Sequence, residues 1–126
     1  MTAYPVVLRL AGKRVLVVGG GSVAARKVDG LLAAGAAVTV VARTVVAELR
    51  DAATRGDIVL AERVYRSDDL AGSWLVVTAT DDAITQQQVF DDGEAAGVWV
   101  NAADDPQRCS FFLPCLLYTS DAADEL

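Results

Sequence analysis

The segment that most constrains this chain is "VLVVGGGSVAARK", Val15 to Lys27. Four apolar residues run straight into three consecutive glycines, and apolar residues at helical spacing follow. Such an apolar run suits a strand buried on both faces. Within "GGGSVA" the pattern is G-x-G-x-x-A, with Gly19 and Gly21 in the leading positions and Ala24 in the third. The first glycine allows a tight turn, the second lets the backbone approach a pyrophosphate, and the small third residue keeps the helix close to the sheet. The N–H groups of Ser22 and Val23, at the positive end of the helix dipole, then face phosphate oxygens. The segment predicts dinucleotide binding through Gly19, Gly21, Ser22 and Val23.

The rest of the chain alternates in the same way. Strands are expected at "KRVLVVGG", "AAVTVVAR", "DIVLAERVY", "SWLVVTAT" and "VWVN". Helices are expected at "SVAARKVDGLLAAG", at "TVVAELRDAATRG" with Thr44 as its N-cap, and at "DDAITQQQVFDDGEAAG". The third strand is less apolar and so belongs nearer an edge. Parallel neighbours need long right-handed crossovers, so this alternation predicts an α/β chain: a Rossmann-like parallel sheet of five strands, order 3-2-1-4-5, with helices on both faces. The winding reverses between the first and fourth strands, where a crevice opens at the strands' carboxyl ends. The loops after Val18, Ala79 and Asn101 meet there.

Composition narrows the function classes. A chain of 126 residues supports one core. Hydrophobic residues make up 53% and mean hydropathy is +0.35, yet no apolar run approaches the roughly 20 residues that cross a bilayer. No leader pattern opens the chain, so a cytoplasmic protein with no membrane partner is expected. Two cysteines and no histidine give neither a disulfide framework nor the usual zinc ligands, so no metal site is expected. A net charge of −6 with 11 scattered basic residues argues against nucleic acid.

The end of the chain has a different texture. "CLLYTSDAADE", Cys115 to Glu125, resembles one translated reading frame of the transposase adapter used in sequencing libraries. Residues 115–126 are therefore expected to be a non-native tail, residues 1–114 a dinucleotide-binding Rossmann domain, and the natural chain to run on past Pro114. Without Asp121, Asp124 and Glu125 the net charge is about −3.

Two further stretches bear on chemistry. The second strand ends in Val41, Ala42 and Arg43, where a ribose-binding Asp or Glu would be usual. Either Arg43 meets the adenine or a 2′-phosphate, which favours NADP, or it is solvated and Thr44 or backbone holds the ribose. "NAADDPQRCSFFLP" brings Asn101, Asp104 and Asp105 to the crevice. Asp104 there suits proton acceptance while hydride leaves a substrate, and adjacent aspartates before a proline equally suit a plain turn. Cys109 reads as a small apolar filler. "TATDD" ends a strand and caps a helix, with Thr80 in reach of the cofactor.

Taken together, "VLVVGGGSVAARK", "LLAAGAAVTVVA", "WLVVTATDD" and "NAADDPQRCSFFLP" resemble the dehydrogenase module of siroheme synthases, over Tyr4 to Pro114. The resemblance implies NAD-dependent oxidation of precorrin-2 to sirohydrochlorin, with ferrous iron then inserted as a second substrate, in a homodimer. It implies Asp104 as general base and Gly21, Ser22, Val23, Arg43, Thr44 and Thr80 as cofactor positions. Lack of an acid after the second strand also occurs in family members that use NAD, which weakens the case for NADP. Ala102 and Ala103 depart from the bulkier valines often found there. Arg108, Phe111 and Phe112 would begin a surface for a carboxylate-rich tetrapyrrole. Two other readings fit the glycine loop alone: a different NAD(P) oxidoreductase, or an NAD(H)-sensing regulatory domain.

Overall fold

The computed structural model describes residues 3–103 and 106–111. Strands β1 (Arg14–Val18), β2 (Ala37–Ala42), β3 (Ile58–Glu62), β4 (Leu75–Thr78) and β5 (Trp99–Ala102) alternate with helices α1 (Ser22–Ala33), α2 (Ala47–Thr54) and α3 (Ala83–Ala96). All pairings are parallel, in the order β3-β2-β1-β4-β5, as the alternation predicts. Val18 lies level with Val41 on one side and Thr78 on the other, and Thr78 with Ala102. The carboxyl ends of four strands therefore finish together, beside the reversal between β1 and β4.

The continuous apolar runs are explained by two cores, one on each face. Val15, Val17, Val38, Val40, Leu75 and Val77 pack with Ala24, Val28, Leu49 and Ala52 of α1 and α2. Leu16, Val18, Val41, Val76 and Val100 point the other way and pack with Val89 of α3 and with Tyr65 and Leu70. Side chains alternate faces along a strand, so a strand covered on both sides has no polar position to spare. β3 lies at an edge, and Val59 on it is exposed. α3 comes so close to the sheet that a Cβ on Gly93 would overlap Val100 Cγ2 and lie 2.9 Å from Val98 O. No helix among the described residues is long and apolar enough to cross a membrane.

Three boundaries differ from the sequence-based expectation. α2 begins at Ala47 with Val46 in the N-cap position, not at Thr44, and no side chain caps it. Val45 and Val46 are drawn into the core beside α1 and α2, and Val46 N–H donates to Gly20 O at 2.8 Å, so tertiary packing displaces the local Thr44 signal. β3 stops at Glu62 rather than Tyr65. Beyond it a short 3-10 turn, Ser67–Leu70, forms where no element is expected. Arg63 makes a two-pronged ion pair to Asp69 in that turn, at 2.8 and 2.6 Å, and the Tyr65 hydroxyl donates to Asp92 of α3 at 2.8 Å. The first pair braces the β3–β4 connection internally and the second ties it to α3, and no local pattern announces either. Burial, together with its bond to Asp92, pushes the Tyr65 phenol well above its usual pKa.

Two outcomes follow for stability. Gly→Ala within a helix ordinarily gains about 0.5–1 kcal/mol, but overpacking against a strand costs about 1–3 kcal/mol, so Gly93→Ala should lower the urea midpoint. The Arg63 guanidinium holds the Asp69 carboxyl below its ordinary pKa. That contribution is fully present above the unfolded carboxylate range and is lost as pH falls through the lower folded value. Asp69→Asn should therefore be less stable than the parent near neutral pH, and the difference should close in acid when unfolding is followed as a function of pH.

Candidate functional site

The crevice at the end of β1 is built on backbone contact at two glycines. Gly19 has φ +139°, and a Cβ there would lie 2.6 Å from Ala79 O. A Cβ on Gly20 would overlap Thr44 O and lie 2.9 Å from Ala42 Cβ. Hydrogen bonds run the same way: Gly19 N–H to Val41 O at 3.0 Å, Ala79 N–H to Val18 O at 2.7 Å. The loops after β1, β2 and β4 thus touch one another through glycine backbone. Gly20 is the residue that sequence reasoning missed. Its signal was the third glycine of "GGG", which the G-x-G-x-x-A pattern leaves unconstrained.

Gly21 differs from both. It is exposed, its φ is an ordinary −91°, and a Cβ on it would meet nothing within 4 Å. α1 starts immediately after it, with no side-chain cap and no acidic residue in its first turn. The first intrahelical bond is Ala25 N–H to Gly21 O at 3.0 Å. An α-helix leaves its first N–H groups without internal partners, so Ser22 and Val23 bring donors and the positive end of a dipole to open space. This arrangement fits the pyrophosphate of a dinucleotide: room at Gly21, donors behind it, and no competing carboxylate in the first turn.

Arg43 and Thr44 are exposed just past the carboxyl end of β2. On the other side of the crevice Asp82 caps α3, its carboxylate accepting from Ile84 N–H at 3.1 Å and from the Thr85 hydroxyl at 2.7 Å. These bonds, and more weakly the charge of Arg43, hold the Asp82 carboxyl below its ordinary pKa. Thr80 is half-buried, and its hydroxyl accepts from Asp82 N–H at 3.2 Å while its carbonyl accepts from Gln86 Nε2 at 2.5 Å. "TATDD" therefore ends a strand and caps a helix, and Thr80 belongs to that turn.

The third loop is organised otherwise than expected. Asn101 is buried, and its amide donates to Phe111 O at 3.0 Å, which occupies it within the fold. Phe111 packs against the core beside α1 and α2, so it is not an open shelf. Arg108 Nε donates to Gln87 Oε1 of α3 at 2.8 Å. An open groove of about 580 Å³ on the outer side of α3 is lined by Ile84, Gln87, Asp91 and Arg108 among others, and draws no residue from the glycine loop. Asp104, Asp105 and Phe112 lie outside the described residues. Among the described residues no group of three His, Cys, Asp or Glu is placed to hold a metal ion.

Residues 6–115 match a family model described as "Putative NAD(P)-binding". The chain belongs to this family. This NAD(P)-binding domain is 38% identical over 117 residues to a siroheme synthase of Actinobacillus pleuropneumoniae serotype 3 (strain JL03), covering 93% of the chain and 24% of that relative. It is 42% identical to siroheme synthase 1 of Aeromonas salmonicida (strain A449), with 93% and 25% covered. The chain thus spans about a quarter of the length of the curated relatives it matches. Among solved structures it is similar to SirC, a precorrin-2 dehydrogenase, with a TM-score of 0.77 and 28% identity over 98% of this chain and 69% of that one.

The glycines separate fold from binding in a way that can be measured. Gly20→Ala pushes a methyl into fixed backbone and should cost about 3 kcal/mol in chemical denaturation. Gly21→Ala should leave stability within about 0.5 kcal/mol and weaken NAD binding, read by titration calorimetry, by about tenfold.

Proposed function

We propose that this NAD(P)-binding domain is the cofactor-binding part of a precorrin-2 dehydrogenase, oxidising precorrin-2 to sirohydrochlorin with NAD. The observation that carries the reading is the similarity to SirC over 98% of the chain, which includes the open glycine turn and the uncapped start of α1. The siroheme synthase relatives point the same way. Gly19 and Gly20 shape the turn, Gly21 leaves room for the pyrophosphate, and the N–H groups of Ser22 and Val23 bind it. Arg43 and Thr44, exposed past β2, take the adenosine end, and the Thr80 backbone borders the middle of the cofactor. NAD supplies a two-electron acceptor when bound there.

The oxidation removes a hydride and a proton from the macrocycle. Asp104, which follows β5 in the sequence, is assigned the proton, because a carboxylate suits proton acceptance while hydride leaves the substrate. Siroheme contains iron, so the same reading takes ferrous iron as a second substrate of the whole protein, with no resident metal. It also takes the whole protein as a cytoplasmic homodimer that continues past Pro114, with residues 115–126 a non-native tail.

Incubation of the whole protein with precorrin-2 and NAD should produce NADH and sirohydrochlorin in equal amounts, followed by absorbance. Asp104→Ala should lower kcat by at least about a hundredfold while the Kd for NAD stays unchanged. Normal turnover by that variant would remove Asp104 from the mechanism, and absence of NADH from the parent would overturn the reading as a whole.

A further inference from the structure

β5 is the last strand of the sheet, and its outer edge would be bare. Among the described residues it is covered by two side chains and one backbone N–H rather than by another strand. Ser110 N–H donates to Val100 O at 2.7 Å, and the Ser110 hydroxyl accepts from Val100 N–H and donates to Val100 O at 3.1 Å. The Cys109 thiol does the same two residues along, accepting from Ala102 N–H at 3.2 Å and donating to Ala102 O at 3.3 Å. Between them Asn101 donates to Phe111 O and sits 3.7 Å from Cys109 Sγ. Three successive residues of β5 are therefore gripped by three successive residues, 109 to 111. A buried amide demands such a partner.

We propose that Asn101, Cys109 and Ser110 form a clasp that holds the two described ends of the connection after β5, Ala103 and Arg108, in place for the reaction. The connection leaves the sheet and returns to it within one residue of the end of β5. Its first residue is tied inward, Ala103 N–H to Thr78 O at 2.9 Å, and its last to α3 through Arg108 and Gln87. Ala103 and Arg108 are thus each tied to a neighbouring element, one to β4 and one to α3. This proposal rests on the reading above, in which that connection carries the proton acceptor. The three residues act through it and touch neither substrate nor cofactor. Cys109 is then no mere filler, because its thiol substitutes for the peptide group of a missing strand.

Cys109→Val keeps the size and removes both sulfur bonds, whereas Cys109→Ser keeps a donor and an acceptor. In hydrogen exchange on the chain, Cys109→Val should speed the Ala102 and Ala103 amides by about tenfold or more, with β1 unchanged. In the whole protein it should lower kcat for precorrin-2 about tenfold with the Kd for NAD held within about twofold. Cys109→Ser should restore both. Ser110→Ala, at an exposed residue, provides the same pair of measurements at the Val100 amide if Cys109→Val does not fold. Unchanged exchange in the folded variants overturns the clasp, and faster exchange with unchanged kcat overturns its role in positioning. A parent that makes no NADH overturns the functional reading, and with it the role in positioning, while exchange still decides the clasp.

Discussion

The site depends on one steric fact: at the end of β1 the backbone of three loops meets at distances that leave no room for a side chain. Gly19 lies against Ala79 and Gly20 against Thr44. This contact draws the loops after β1, β2 and β4 together where the sheet reverses its winding, and the start of α1 opens beside it. A methyl group at either glycine would push the loops apart and move the donors of α1 with them. Packing, rather than any charge, sets the geometry of the crevice.

Charged groups then stand on either side of the glycine turn. Arg43 stands past β2 and Asp82 at the start of α3, with its carboxyl held low by the α3 cap. The start of α1, with no side-chain cap and no acidic residue in its first turn, favours an anionic group beside it. The helix dipole reinforces that preference without a buried charge, which would be costly to desolvate. At the margin of the sheet the edge of β5 is closed by a thiol, a hydroxyl and the peptide N–H of Ser110. The crevice beside β1 is thus organised by glycine backbone, and the edge of β5 largely by side chains that imitate backbone.

Much of this was legible in the residues. The paired cores require uninterrupted apolar strands, and "RVLVV", "AVTVVA" and "LVVT" show them directly. Gly97, with φ +70° after α3, and Asp82, capping its start, mark helix ends by local chemistry. The failures have a common cause. Thr44 is a good N-cap by type, yet Val46 is drawn toward Gly20 and the core, and the helix starts later. Arg63 with Asp69, Tyr65 with Asp92 and Asn101 with Phe111 join residues between six and 27 positions apart. Local pattern is blind to such pairs.

By itself the sequence determined the class of fold, the strand order and the glycine turn, because periodicity, crossover length and glycine spacing act over a few residues at a time. Only the tertiary structure decided that Gly20 is as constrained as Gly19, that Asn101 faces into the fold, and that Cys109 and Ser110 close the edge of β5. Each of those depends on which distant atom lies within bonding or van der Waals reach, and that is settled only when the sheet has formed.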